Sequence, residues 1–273
     1  MDRFFHRTEL LLGKDISEKL ISTKVIIFGV GGVGSWCAES LIRSGVENLT
    51  IVDSDRVCIT NVNRQVMANS KTIGQIKTEA LKNHLLLINP NAKINALQMI
   101  YSEENSGFFE LEKYDYIIDA IDSIKNKVHL IQTATKTSAV LFSAMGAALK
   151  ISPDKIKVAE FWKINGCPLS ALLRKRFRKF GFPSKKFLCV YGEEILENRA
   201  ENNTCGTAQC LCPKITGTNS DIAEHEWCSS KAIINGTIAH ITAIFGFTLA
   251  GLIIENIYNQ NQNMEQTGRF DNG

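Results

Sequence analysis

The chain holds 273 residues, 44% of them hydrophobic, with a formal net charge of +3. So much apolar material supports one large core, and a charge so near balance excludes attraction to polyanions by overall charge alone, leaving nucleic-acid contact to local clusters. Eight cysteines lie scattered along it, and Met1-Asp-Arg-Phe4 lacks the charged-then-apolar order of a signal peptide, so free thiols in a reducing cytoplasm are expected.

The apolar run Lys24–Phe28 predicts a strand. The glycines of Gly29-Val-Gly31-Gly32-Val-Gly34-Ser35 then predict a tight turn into a helix bearing Trp36, Cys37, Leu41 and Ile42. Further strands are expected at 49–53, 93–98, 116–119 and 139–143, with helices at 74–89 and 122–137 between them. This alternation argues an α/β fold: a Rossmann-like, mostly parallel sheet with helices on both faces. Ligands of such sheets sit beyond the carboxyl ends of the strands, where Gly29 to Gly34, Asp53, Asp119 and Asp122 should converge.

At that end the glycines let a phosphate approach, and the free N–H groups and dipole of a helix N-terminus favour an anion. Asp53, 19 positions past Gly34, suits the ribose hydroxyls of either NAD or ATP. The segment after it separates the two. Asp55, Asn61, Arg64 and Gln65, then Lys77 and Asp122, offer two fixed cations and a second carboxylate. That set suits a triphosphate with Mg²⁺ better than the diphosphate of a dinucleotide.

Taken in order, Gly29-x-Gly31-Gly32-x-Gly34, Asp53-x-Asp55, Asn61-x-x-Arg64-Gln65, Lys77 and Asp122 resemble the ThiF, MoeB and ubiquitin-activating-enzyme-like adenylyltransferases. The resemblance implies MgATP binding, with Gly31 and Gly34 at the phosphates, Asp53 at the ribose, Asn61, Arg64 and Lys77 along the phosphate chain, and Asp122 at Mg²⁺. The segment Phe5-His-Arg7-Thr-Glu-Leu-Leu-Leu12-Gly13 is similar to the family's opening motif, which implies that Arg7 reaches toward a nucleotide. Within the family, the runs Gly31 to Trp36, Asp55 to Gln65, Asp119 to Ser123 and Cys167 to Leu169 are most similar to the branch acting on threonylcarbamoyladenosine in tRNA, from Phe5 to Ile257. That branch implies ATP-dependent dehydration beside the anticodon, in which an adenylated threonyl carboxylate is attacked by its own ureido group. A second branch, activating a sulfur-carrier protein with a sulfur-transfer partner, stays open beside it. So do two readings of other classes. An NAD-dependent oxidoreductase leaves Arg64, Lys77 and Asp122 together unexplained, and a non-catalytic tRNA- or partner-binding scaffold has no need of them.

One domain over 1–258 is expected, its 151–258 half facing substrate and forming a homodimer, with a polar disordered tail at 259–273. The densest positive charge lies on an expected basic helix, Leu172 to Phe180, where Leu172, Leu173, Phe177 and Phe180 share one face and Arg174, Lys175, Arg178 and Lys179 cover the rest. It is read either as an ordinary solvated helix or, in light of the resemblance, as a tRNA contact near the site mouth. Cys205, Cys210 and Cys212 depart from paired zinc spacing. Cys228 is read as structural or substrate-adjacent ahead of a thiol nucleophile, and Cys37, Cys58, Cys167 and Cys189 as small buried residues. The apolar run Ile233 to Ile254 is long enough to span a membrane, but its polar interruptions favour a buried helix at a dimer interface, with His240 in the core.

Overall fold

Alternation within each strand sets the layers. In β1 (Lys24–Phe28) the buried Val25 and Ile27 join one core and the buried Ile26 and Phe28 the other, as the two-residue period of a strand requires. The computed structural model describes residues 3–200 and 235–270. Among these, β1, β2 (Asn48–Val52), β3 (Lys93–Leu97), β4 (Tyr116–Asp119), β5 (Val140–Ala144), β6 (Ile156–Glu160) and β7 (Leu188–Gly192) form one sheet in the order β3-β2-β1-β4-β5-β7-β6. Neighbours are parallel except β6, which lies antiparallel on β7 at the edge.

Helices cover both faces. The helices α2 (Lys14–Ser22), α3 (Gly34–Arg43), α4 (Lys77–Ile88) and α7 (Ala239–Phe270) pack on the Val25 and Ile27 face through Leu20, Leu41, Leu81 and Phe245. On the other face lie α5 (Ile124–Ala134) and α6 (Pro168–Phe180), through Ile131, Leu173 and Phe177. α1 (His6–Leu12) buries none of its residues. The strand order reverses between β1 and β4, and ligands of doubly wound sheets bind at the carboxyl ends beside such a reversal.

The structure departs from the expected elements at five places. The helix expected at 74–89 starts at Lys77, because Gly74 takes a left-handed φ of 86° and Ile76 bridges Arg56. β6 and β7 extend the sheet beyond the five expected strands. The apolar helix begins at Ala239, and its stripe of Ile241, Phe245, Leu249, Ile253 and Ile257 is buried chiefly against α3 of the same chain, as the expected buried helix, while Phe247 and Tyr258 stay exposed on its other side. Its 24-residue apolar stretch is long enough to cross a membrane, yet half of it is buried inside the fold. His240 is exposed and bonds the Ile151 carbonyl at 2.8 Å instead of sitting in the core. α7 also runs on to Phe270 through the segment expected to be a disordered tail. Once the packed turns have nucleated a helix, each further residue needs only propagation, and the Asn/Gln run holds no proline to stop it.

Candidate functional site

The glycine turn leaves β1 where no side chain fits. Gly29 has a φ of 86° and a Cβ there would lie 2.6 Å from the Ala120 carbonyl oxygen, while a Cβ on Gly34 would lie 1.9 Å from that of Gly29. The turn is thus pressed against the loop after β4. Gly31 and Gly32 form its crest, half-exposed, and at Gly31 the nearest atom to an added Cβ is Gln65 Nε2 at 3.7 Å. Asp53 braces the turn: its carboxylate accepts from Val30 N at 2.8 Å and from Asp55 N at 2.9 Å. Each oxygen retains a further lone pair for a ligand hydroxyl.

Lys77 stands at the first residue of α4, and its start at the end of the Gly74 turn aims the side chain back at β2. Its Nζ lies 2.7 Å from Asp55 and 3.9 Å from Asp53, with the side chain 7% exposed. Burial alone pushes the ammonium pKa down, but the charges of Asp53, Asp55 and Asp122 outweigh it and hold it above the ordinary lysine value. The amine therefore stays charged. Asn61 is buried and accepts from Cys58 N at 3.0 Å, folding the 58–65 turn that presents Arg64. Arg64 donates to the Thr60 carbonyl at 2.8 Å and to Asn63 Oδ1 at 2.9 Å, and stays partly open to solvent. Gln65 is buried with its amide oxygen unpartnered, an acceptor left beside the crest of the turn.

Sequence reading placed Asp119 only as half of a doublet with Asp122. The structure shows it fully buried, paired with Lys127 at 2.8 Å and bonded by Ser143 Oγ at 2.6 Å. Asp119 Oδ1 also accepts from Ile121 N at 3.2 Å and Lys127 Nζ donates to the Ile121 carbonyl at 3.2 Å, so one buried ion pair clamps the loop that offers the exposed Asp122. Lys127 was missed because a lysine on an expected helix reads as solvated. Trp36 and Thr242 were missed as well. Trp36 Nε1 donates to the Arg64 carbonyl at 2.9 Å and its ring meets Phe247 of α7 at 5.7 Å, while Thr242 Oγ1 reaches the same carbonyl at 3.4 Å and its methyl lies against Gly32. α7 is therefore the buttress of the phosphate turn.

Three expected groups do not join this cluster. Arg7 is exposed on α1, two residues after Phe5, which packs against Gly45. Phe4, Phe5, Arg43, Leu87 and Ile88 line a crevice of about 360 Å³ at the far ends of α3 and α4. With α3 spanning about 15 Å, Arg7 lies at the opposite end of the sheet from its own glycine turn. α6 starts at the mouth, where Leu169 packs on Gly146 just past β5, but its far end is tied to α5 by Gln132, which donates to the Phe180 and Gly181 carbonyls. Its cations therefore lie along a helix that leads away from the mouth. Arg174 is half-buried and donates through one guanidinium nitrogen to the Ile164 carbonyl at 2.9 Å and the Phe161 carbonyl at 3.4 Å, whereas Lys175, Arg178 and Lys179 are exposed. Cys228, Cys205, Cys210 and Cys212 lie outside the described residues; Cys37, Cys58, Cys167 and Cys189 are buried thiols in no disulfide.

A family model described as the ThiF family matches residues 5–272. A tRNA threonylcarbamoyladenosine dehydratase of Bacillus subtilis is 43% identical over 190 residues, 70% of this chain and 74% of that protein. One from Haemophilus influenzae is 33% identical over 252 residues, 89% and 88% of the two chains. Among solved structures, the Escherichia coli tRNA N6-threonylcarbamoyladenosine dehydratase in complex with ATP superposes with a TM-score of 0.78 at 26% identity, covering 96% of each chain, and its AMP complex does so with the same TM-score at 27%. The match spans the glycine turn, Asp53, Arg64, Lys77 and Asp122 alike, and the chain belongs to the ThiF family.

Proposed function

We propose that this chain uses ATP to dehydrate threonylcarbamoyladenosine in tRNA beside the anticodon. The observation that carries the reading is the charged Lys77, held at Asp55 beside Asp53 and Asp122, at the mouth of a glycine turn open at its crest. A diphosphate needs no such set, and the relatives named above are dehydratases of this kind, one of them in complex with ATP. ATP supplies the adenylyl group that turns a carboxylate oxygen into a leaving group. The backbone N–H groups of the turn and the N-terminus of α3 bind phosphate, Asp53 takes ribose hydroxyls, and the orphaned Gln65 oxygen suits a nucleotide donor. Asp122 with phosphate oxygens would hold Mg²⁺, which commonly uses one or two carboxylates and keeps water besides.

In the proposed reaction the threonyl carboxylate oxygen bonds to the α-phosphorus as the bond to pyrophosphate breaks, with Arg64 and Lys77 taking up the developing charge. An atom of the ureido group then attacks the acyl carbon, its proton is lost, and AMP leaves with the former carboxylate oxygen, so the nucleoside loses the elements of water. Positioning does most of the work of this second step, because both partners belong to one molecule. We further propose a homodimer formed through Phe4, Leu10, Leu11 and Leu87, which are 64%, 73%, 80% and 85% exposed. Arg7 stands on the same helix as Leu10 and Leu11, beside this face.

Mass spectrometry of nucleosides tests the activity directly, after tRNA carrying threonylcarbamoyladenosine is incubated with the protein and MgATP, or without ATP. An ATP-dependent loss of one water supports the reading. Unchanged nucleoside overturns it and moves the weight to another carboxylate, with a sulfur-carrier C-terminus the next to test.

A further inference from the structure

Beyond the site, a 30-residue stretch from Phe161 to Val190 holds eight Lys and Arg residues and no Asp or Glu, in a chain whose net charge is only +3. Folding sets part of this charge beside an aromatic patch. The turn at Phe161–Lys163 is fixed from inside, since Phe161 stacks on Phe187 at 5.1 Å and Glu160 accepts from Trp162 N at 3.2 Å. Trp162 is left 38% exposed on top of it. Past the end of α6, where Gly181 takes a φ of 105°, the chain doubles back so that Phe182, 63% exposed, meets the Trp162 ring at 5.7 Å. Two large aromatics at the surface would ordinarily be buried, and these are held in place by a well-packed underside, with Phe177 at 6.4 Å from Trp162.

The flank of this patch is cationic by helix geometry. Arg174 bonds the Phe161 and Ile164 carbonyls, so the α6 face bearing it is turned to this turn. Arg178, four residues on, shares that face and projects one turn further along beside the rings, exposed. Lys163 is exposed on the turn itself, and Lys179 lies over the Phe180 ring at 5.3 Å. Lys185 is anchored instead, donating to the carbonyls of Thr137 and Ala139.

We propose that Trp162 and Phe182 form a stacking platform for an unpaired nucleotide of the RNA substrate, with Arg178, Lys163 and Lys179 neutralising the phosphates on either side. Exposed rings flanked by cations are how proteins hold unpaired bases: every base offers a flat face, and the cations follow the backbone. A protein partner of apolar surface would have no use for a stretch free of carboxylates. This inference rests on the tRNA reading above and deepens it. The thirteen residues of α6 separate the platform from the mouth by about 20 Å, so the RNA is gripped at a second point away from the reacting nucleotide.

The test is tRNA binding and dehydration by the full chain and by Trp162→Ala, Trp162→Phe, Phe182→Ala and Arg178→Glu. Loss of one stacked base weakens single-strand binding about tenfold or more, so Trp162→Ala should raise the Kd and KM for tRNA about tenfold with kcat and ATP affinity unchanged. Trp162→Phe should restore most of the binding, and Arg178→Glu should weaken it while lowering its dependence on salt. Intact ATP affinity certifies folding, and Phe182→Ala, at the more exposed ring, serves if Trp162→Ala does not fold. Wild-type tRNA affinity in the Trp162 and Phe182 variants overturns the platform while the wild-type chain still dehydrates tRNA. A wild-type chain that neither binds nor alters tRNA overturns the function and the platform together.

Discussion

At the scale of single residues, charge pairing divides the mouth into groups that meet the nucleotide and groups that hold them. Arg64, Lys77 and Asp122 are of the first kind. Alanine at any of the three is expected to cut ATP-dependent turnover by about 10²–10³, the usual effect of removing one preorganised electrostatic partner. Steady-state kinetics on the modified tRNA measures it, and near-normal turnover in all three would sink the proposed site. Lys127 is of the second kind. With both Lys127 and Asp119 at 0% exposure, Lys127→Met leaves a buried carboxylate without its counter-charge and should cost about 3–5 kcal/mol in urea unfolding. The double replacement with Asp119→Ala is expected to recover part of that loss, because the orphaned charge goes with its partner.

At the scale of elements, α7 matters for what it presses against. A Cβ on Gly246 would lie 2.5 Å from the Val33 carbonyl oxygen and 2.7 Å from Cys37 N, so α7 and α3 touch backbone to backbone just below the glycine turn. Gly246→Ala should therefore force the two helices apart, at about 1–3 kcal/mol for an overpacked contact. ATP affinity should fall with it, since Trp36 and Thr242 both lean on the Arg64 carbonyl across this interface. Denaturant unfolding together with equilibrium ATP binding reads both effects, and unaltered stability would mean that the helices can slide freely. α6 illustrates the local side of the same scale. Pro168 opens it and Gly181 closes it with a positive φ, the N-terminal proline and C-terminal glycine that a short helix favours.

For the whole molecule, pH and self-association are the two levers. Glu194 accepts from Ile151 N at 2.5 Å and Ser152 N at 2.9 Å, joining the segment after β7 to the one before β6. Those hydrogen bonds lower its carboxyl from 4.5 to about 2. A depressed folded-state pKa stabilises above the unfolded value, so the contribution is complete above pH 4.5 and is lost as pH falls toward 2. Thermal midpoints followed across that window should fall less steeply in Glu194→Gln than in the natural chain. Sedimentation should find a dimer, and Leu10→Asp with Leu11→Asp a monomer that retains ATP binding. A natural chain that sediments as a monomer removes the proposed interface.

Five of the seven strands, the glycine turn and the order of Asp53, Arg64, Lys77 and Asp122 were legible in the chain because each rests on local chemistry: β-branched runs, glycines that no side chain can replace, and charged residues in the segments that follow the strands. The nearness of the glycine turn to Asp53 and to the loop after β4 also followed from sequence, since a parallel sheet brings its carboxyl ends to one edge. What only the tertiary structure decided was long-range packing. The burial of Lys127 depends on Asp119 and Ser143 arriving from two other elements, and Arg174 bonds two carbonyls that its helix happens to cross. The stripe of α7 looks the same in sequence whether it meets a lipid, a second copy or α3. Periodicity tells which face of a helix is apolar; only the completed fold supplies the surface that covers it.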